Sequence, residues 1–143
     1  MRKVFVISIL VLMFAAIVSA QDSLFTISGQ LQYEKDGLLF MSLTSESQFM
    51  KGGVKPTAFS ILEAVPDSAG NRLVSFVMDS IPVGEYVISA FQDVNGNGKL
   101  DMGFLGPKEP FGFSGSRPRF IPKFENLKFA VESDVNNMMI EVK

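Results

Sequence analysis

Apolar side chains recur at every second position in several segments of this 143-residue chain. A period of two is the pattern of a β-strand that buries one face, whereas an amphipathic helix repeats its apolar positions every 3.6 residues. Seven segments have this extended, mostly alternating pattern: residues 25–33, 37–44, 57–65, 72–79, 86–90, 127–131 and 138–142. No helical period occurs after residue 20. The sequence therefore predicts an all-β fold, an antiparallel seven-stranded β-sandwich, with a closed barrel as the alternative.

Turn residues between these segments favour two hairpins. Lys35-Asp36-Gly37 separates the first two segments, and Pro82 and Gly84 separate the fourth from the fifth. All 12 Gly and all 7 Pro follow residue 20, which suits short strands joined by tight turns. We expect residues 25–44 and residues 72–92 each to form a β-hairpin.

The first 20 residues have the composition of a secretory signal peptide. Arg2 and Lys3 precede an apolar run over residues 4–18, and the leader ends in the small residues Ser19 and Ala20. The run is short for a bilayer span. The sequence predicts a cleaved signal peptide at residues 1–20 and a single domain at residues 21–143, with an uncleaved anchor helix as the alternative. The mature chain is then periplasmic or extracellular and has no membrane span.

The composition excludes several kinds of chemistry and partner. The chain has no His, no Cys and no Trp, so catalytic triads, His-ligated metals and disulfides are excluded. Removal of the leader leaves 11 basic and 15 acidic residues, a net charge of −4. This mild acidity argues against nucleic acid as a partner. Carboxylate chemistry and oxygen ligands for hard cations remain.

One loop, residues 93–101, has the spacing of a calcium-binding loop. Its sequence, DVNGNGKLD, places oxygen-bearing side chains at alternate positions and a glycine at the sixth. This is the D-x-[DN]-x-[DN]-G pattern, in which every second residue faces a cation and the glycine allows a sharp bend. The predicted Ca²⁺ ligands are Asp93, Asn95, Asn97, Lys99 through its backbone carbonyl, Asp101 and Glu109.

The loop departs from a full EF-hand loop at its twelfth position. A bidentate Glu is usual there, and here the residue is Phe104. Glu109 is the nearest downstream carboxylate, and bends within residues 103–107 can return it to the ion. With two or three carboxylates, the expected Kd is on the order of 10⁻⁵ to 10⁻³ M. The alternative is a plain turn, in which the Asn-Gly dipeptides bend the chain and both Asp side chains are solvated.

A longer linear block supports a family resemblance. Residues 84–92, GEYVISAFQ, run into the loop, and residues 104–114, FLGPKEPFGFS, follow it. This block resembles the bacterial domain-of-unknown-function family numbered 2141. The resemblance implies an exported bacterial protein with a transthyretin-like or Ig-like sandwich, and it implies no established activity. Gln92 stands where the family often has His, so any role that needs an imidazole is absent.

Six Phe side chains fall in a segment that also contains Arg117, Arg119 and Lys123. They are Phe104, Phe111, Phe113, Phe120, Phe124 and Phe129. An exposed aromatic patch rimmed by charge is one interpretation, and it would bind a ligand or partner. A second small core beneath an irregular segment is the other, and we favour it.

These observations predict a Ca²⁺-binding structural or binding module of the bacterial cell envelope. The calcium loop would fix the irregular segment, residues 102–124, against the sheets. The partner would be an unidentified protein or glycan, and the protein would not be an enzyme. The alternative from another class is a small envelope hydrolase that uses the carboxylates of Asp101 and Glu109.

Overall fold

The computed structural model describes residues 23–115, 117–118 and 120–143. The predicted signal peptide, residues 1–20, and Arg119 lie outside the described residues. The described chain is nearly all β, as predicted, and no helix in it is long and apolar enough to cross a membrane. Its elements are β1 (Leu24–Tyr33), β2 (Gly37–Thr44), β3 (Ala58–Ala64), β4 (Leu73–Pro82), β5 (Gly84–Asp93), β6 (Met102–Gly103), β7 (Gly106–Pro107), β8 (Phe111–Phe113), α1 (Phe124–Leu127), β9 (Phe129–Val131) and β10 (Val135–Val142).

The strands form two main sheets and one small one. The first sheet has the order β10-β1-β4. The second has the order β3-β2-β5-β8, and β9 pairs with another part of β5. Strands β6 and β7 form a separate two-stranded ribbon. Because the two main sheets have separate strand orders and a common core, the arrangement fits a β-sandwich.

The core lies between the two main sheets and uses the alternating positions identified in the sequence. The first sheet contributes Ile27, Leu31, Phe76, Met78 and Ile140. The second sheet contributes Leu39, Met41, Leu43, Ile88 and Ala90. A smaller cluster on the other side of β5 contains Val87, Phe124 and Leu127, with Phe49 and Phe113 packed against it. Strand β5 is therefore buried on both faces over part of its length.

Both predicted hairpins are wrong. Strand β1 pairs with β10 and β4, whereas β2 pairs with β3 and β5. Strands β4 and β5 likewise belong to different sheets. The physical reason is that alternation shows which face of a strand is buried, and two strands that face each other across a core have the same alternation as two paired strands.

The chain changes sheets between β4 and β5 through one residue, the exposed Val83. Pro82 has no N–H to donate to a strand partner, which suits a strand end. The Tyr86 hydroxyl donates a hydrogen bond to the Pro82 carbonyl at 3.1 Å. The ring also lies 3.2 Å from where a Cβ on Gly84 would stand. This tyrosine therefore fastens the start of β5 to the end of β4.

The chain also passes from the first sheet to the second between β1 and β2, and a buried glutamine is hydrogen-bonded to this connection. The side chain of Gln92 is fully buried near the end of β5. Its Oε1 accepts a hydrogen bond from the Lys35 N–H at 3.2 Å, and its Nε2 donates to the Lys35 carbonyl. Gln92 thus joins the connection after β1 to the strand that leads into the 93–101 loop. Burial of an amide is tolerated because both of its polar ends are paired.

The remaining differences concern direction and detail. Strands β1 and β10 are parallel, so the first sheet is mixed and not purely antiparallel. The predicted sixth strand begins at Phe129, because Leu127 belongs to the short helix α1. Three additional short strands, β6, β7 and β8, lie within residues 102–124, which the sequence predicted to be irregular. Strands of two or three residues are too short to show a period.

Gly29 lies where β1 approaches β10 too closely for a side chain. An added Cβ would stand 2.1 Å from the Met138 carbonyl oxygen, and the β1–β10 register shifts at this point. We expect Gly29→Ala to lower the free energy of unfolding by roughly 1–3 kcal/mol, because a backbone atom cannot move aside as a side chain can. Urea denaturation measures the change.

Gly52→Ala is the matched control for this substitution. Gly52 lies in a turn with no atom within 4 Å of the added Cβ. The control should unfold at the same urea concentration as the unaltered protein, or slightly higher. Equal midpoints for the two variants would contradict the close approach of β1 to β10.

Candidate functional site

The 93–101 loop begins at the end of β5, in the second sheet. Asp93, the last residue of that strand, is opposite Leu38 of β2 and is only 4% exposed. After the loop, the β6–β7 ribbon turns the chain back, and Gly106 has a left-handed φ of 126°. The Lys108 N–H donates to the Asp101 carbonyl at 2.8 Å. The ribbon therefore brings residues 108–109 beside the loop.

The buried carboxylate of Asp93 organises the turn. Its Oδ1 accepts hydrogen bonds from the backbone N–H groups of Gly96 at 2.8 Å and Asn97 at 3.1 Å. Its Oδ2 accepts the N–H of Gly98 at 2.7 Å. The φ angles of Gly96 and Gly98 are 75° and 74°, which strongly favour glycine. The bend expected at Gly98 is therefore present.

The two asparagines connect the middle of the loop to Asp101. The Nδ2 groups of Asn95 and Asn97 donate to the Asp101 carboxylate, at 2.6 Å and 3.1 Å. The Asn95 Oδ1 atom accepts a hydrogen bond from the Asn97 backbone N–H, and the Asn97 Oδ1 atom accepts one from the Lys99 backbone N–H. The side chains predicted to face a cation thus form a closed set of hydrogen bonds around the loop.

Glu109 completes this set from outside the loop. Its carboxylate is 8% exposed. Oε1 accepts the Val94 N–H at 2.9 Å, and Oε2 accepts the Asp101 N–H at 3.1 Å. One side chain therefore holds both ends of the loop, and the structure brings Glu109 to the position at which the sequence analysis expected it.

The carboxylates at the loop form no ion pair among the described residues. Four acidic residues of the described chain form ion pairs, namely Asp36, Glu85, Glu125 and Glu141. Asp93, Asp101 and Glu109 pair with no Lys or Arg among the residues described. No group of three or more acidic side chains there is arranged to hold a metal ion. A cation at this loop would therefore need amide and backbone oxygens beside the carboxylates.

A large apolar cavity lies on the outer face of the second sheet, with a volume of about 910 Å³. Its floor contains two cross-strand pairs, Phe40 with Phe91 and Ser42 with Ser89. Strand β8, which pairs with β5, contributes residues 111–113 to the lining. The cavity wall comes from residues 100–107 and from the described residues within 117–122. Its aromatic lining residues are Phe40, Phe59, Phe91, Phe111, Phe113 and Phe120.

The cavity and the loop share a wall. Leu100 and Met102 line the cavity, and Asp101 lies between them in the chain. The Gln92 N–H also donates to the Pro110 carbonyl at 2.9 Å, which ties the wall to β5. Neither Asp101 nor Glu109 is a described lining residue. The carboxylate pair of the hydrolase hypothesis therefore lies outside the cavity lining described here.

The Phe-rich segment is partly a second core and partly a surface. Phe113 and Phe124 pack in the small cluster beside β5, as the favoured interpretation predicted. That interpretation is wrong for Phe104, which is fully exposed, and for Phe120, which is 88% exposed. The difference arises because Phe113 belongs to β8, a strand of the second sheet, and Phe124 to α1. Phe104 lies at the exposed turn between β6 and β7, and Phe120 lies in an exposed part of the cavity lining.

Sequence analysis missed the floor of the cavity and the role of Gln92. A signal for both was present in the alternation. Phe40 interrupts the polar face of β2, and Phe91 does the same on β5, which indicates that something covers the outer face. Gln92 occupies the inward position after Ile88 and Ala90, where a polar residue has to find partners.

Comparison with known proteins identifies a family. A family model described as "Uncharacterized protein conserved in bacteria (DUF2141)" matches residues 30–139, most of the chain and all of the loop and cavity floor. Comparisons with curated proteins and with solved structures found no significant match. The chain therefore belongs to the bacterial domain-of-unknown-function family 2141.

Proposed function

We propose that this protein is an exported, Ca²⁺-binding module of the bacterial cell envelope. The 93–101 loop would bind the ion, and the bound loop would hold residues 102–124 against the second sheet. The observation that carries the proposal is that the oxygen-bearing side chains of the 93–101 loop, together with Glu109, form one connected set of hydrogen bonds. Asp93, Asp101 and Glu109 pair with no basic side chain among the described residues.

Burial makes a cation favourable at this position. Carboxylates removed from water lose solvation, and like charges held close together repel one another. Backbone N–H groups offset part of this cost at Asp93 and Glu109. A divalent cation would offset the remaining repulsion, which supports a metal-binding role for the loop.

The type of ligand favours Ca²⁺ over other divalent ions. All available side-chain groups are oxygens, from carboxylates and amides, and Ca²⁺ accepts irregular sets of six to eight such ligands. Mg²⁺ requires a stricter octahedron. To bind the ion, Asn95 and Asn97 would have to turn their amide oxygens inward and give up their bonds to Asp101. Binding would thus replace the hydrogen bonds among these side chains with contacts between their oxygens and the ion.

The envelope location and the partner rest on the sequence. The leader-like residues 1–20 support export, and a net charge of −4 after their removal supports a protein or glycan partner over nucleic acid. No contact in the described structure favours the hydrolase alternative, because both oxygens of Glu109 accept backbone N–H groups and neither Asp101 nor Glu109 lines the cavity.

Calcium should stabilise the protein against heat. At a concentration about 100-fold above Kd, a ligand that binds only the folded state contributes about 2.7 kcal/mol, or roughly 8–15 °C in Tm for a domain of this size. Thermal unfolding of the full chain, first in EDTA and then across a calcium series with magnesium for comparison, measures the effect. A Tm that does not change up to about 10 mM calcium would contradict the proposal.

Two isosteric variants locate the effect in the loop. Asp101→Asn removes one charge and should raise the calcium concentration at half-effect roughly tenfold, because affinity follows the charge of the ligands. Glu46→Gln removes the same charge from an exposed position outside the loop and should respond like the unaltered protein. An unchanged response in Asp101→Asn would place the ion elsewhere.

Export should remove the leader after Ala20. We expect the complete gene, expressed in a bacterium, to yield a periplasmic or secreted product that begins at Gln21, as measured by intact mass. Leu10→Arg combined with Leu12→Arg interrupts the apolar run and should keep the full-length chain in the cytoplasm. An unprocessed product in the membrane fraction would instead support the anchor-helix alternative.

A further inference from the structure

The floor of the 910 Å³ cavity is an aromatic platform on a sheet face that has no second sheet over it. The rings of Phe40 and Phe91 are stacked, with centroids 5.0 Å apart and planes 10° from parallel. Phe59 continues the platform, 6.1 Å from Phe40, and is 55% exposed. Large aromatic side chains gathered on one open face are unfavourable in water unless something covers them.

The opposite wall is also apolar and exposed. Leu105, Phe120 and Ile121 line the same cavity and are 96%, 88% and 80% exposed. Single exposed apolar residues are ordinary on protein surfaces, but here floor and wall face one space. An apolar occupant of that space would remove both surfaces from water at once.

One cation lies in this apolar lining. Arg117 is the single charged residue among the described lining residues. Its guanidinium carbon stands 4.9 Å from the centroid of the Phe111 ring, which holds the planar group over the cavity wall. Arg117 forms no ion pair with any described acidic residue. A guanidinium on a ring face keeps its N–H edge for a bidentate acceptor such as a carboxylate.

We propose that the cavity binds a long-chain aliphatic carboxylate, a molecule of the fatty-acid class. The hydrocarbon chain would lie between the Phe40–Phe91 platform and the Leu105–Ile121 wall, and the carboxylate would accept hydrogen bonds from Arg117. The volume falls within the range of about 300–1,000 Å³ that is typical of small-molecule sites. An anionic head group is favoured over a neutral one because it can pair with Arg117. None of the predicted Ca²⁺ ligands lines the cavity, so the carboxylate ligand and the ion would contact different residues.

Displacement of a fluorescent fatty acid tests this proposal. The full chain, after removal of copurifying lipid, is titrated with cis-parinaric acid, and the probe is then displaced with oleate or with oleyl alcohol. We expect saturable binding at one site and displacement by oleate at a lower concentration than by oleyl alcohol. Arg117→Gln should weaken oleate binding roughly 2- to 5-fold, the loss expected for an ion pair at an exposed arginine, and leave oleyl alcohol nearly unchanged.

Two further variants keep the result interpretable. Arg72→Gln is the matched control, because Arg72 also lies over an aromatic ring, that of Tyr33, and is outside the cavity lining. It should bind oleate like the unaltered protein. Ser42→Leu adds volume to the cavity floor and should reduce binding of oleate and oleyl alcohol together. Unfolding midpoints confirm that each variant is folded.

Several outcomes would overturn the proposal. One is the absence of saturable probe binding, and another is equal affinity for oleate in Arg117→Gln and the unaltered protein. A dimer in sedimentation that excludes the probe would show that a second copy covers the face. Sedimentation with phosphatidylglycerol vesicles that free oleate does not compete away would show a membrane surface as the occupant. Repeating the titration in EDTA and in calcium separates this result from the metal proposal.

Discussion

The two hydrogen bonds that the buried side chain of Glu109 accepts hold the 93–101 loop against the segment that follows it. One comes from Val94, where the loop begins, and the other from Asp101, where it ends. Glu109 itself belongs to the segment that walls the cavity, so these bonds join the loop, the wall and the end of β5. Removing a buried acceptor from two backbone N–H groups costs more than the bonds contribute, because both donors are then left without partners.

The second sheet explains why such a wall exists. Its inner face completes the core through Leu39, Met41 and Ile88, and its outer face carries Phe40 and Phe91. A sheet that is apolar on both faces needs a layer on each side. The first sheet supplies one layer, and residues 100–107 with the described residues within 117–122 supply only a partial one. The gap between that partial layer and the sheet is the cavity.

The alternating pattern predicted where strands lie when one face of the strand is buried. It did not predict which strands pair with each other. The bounds of β2 agree with the predicted segment, residues 37–44, and within the predicted segment 72–79 the alternate residues Phe76 and Met78 are buried. The pairing was wrong at both expected hairpins, since residues on opposite sides of a core share one pattern. Glu109 lies against both ends of the loop, where the bends within residues 103–107 bring it, and its predicted role as a Ca²⁺ ligand stays a prediction.

The sequence by itself determined an all-β chain, its inward-facing residues, its family and the composition of the 93–101 loop. These are local properties, because a period of two and the conformational needs of Gly98 act within a few residues. Only the tertiary structure decided that β1 runs parallel to β10, that Gln92 fastens the first sheet crossing and that Arg117 stands over Phe111 beside an open aromatic floor. Those features join residues distant in the chain, and their free energy comes from contacts that no local pattern encodes.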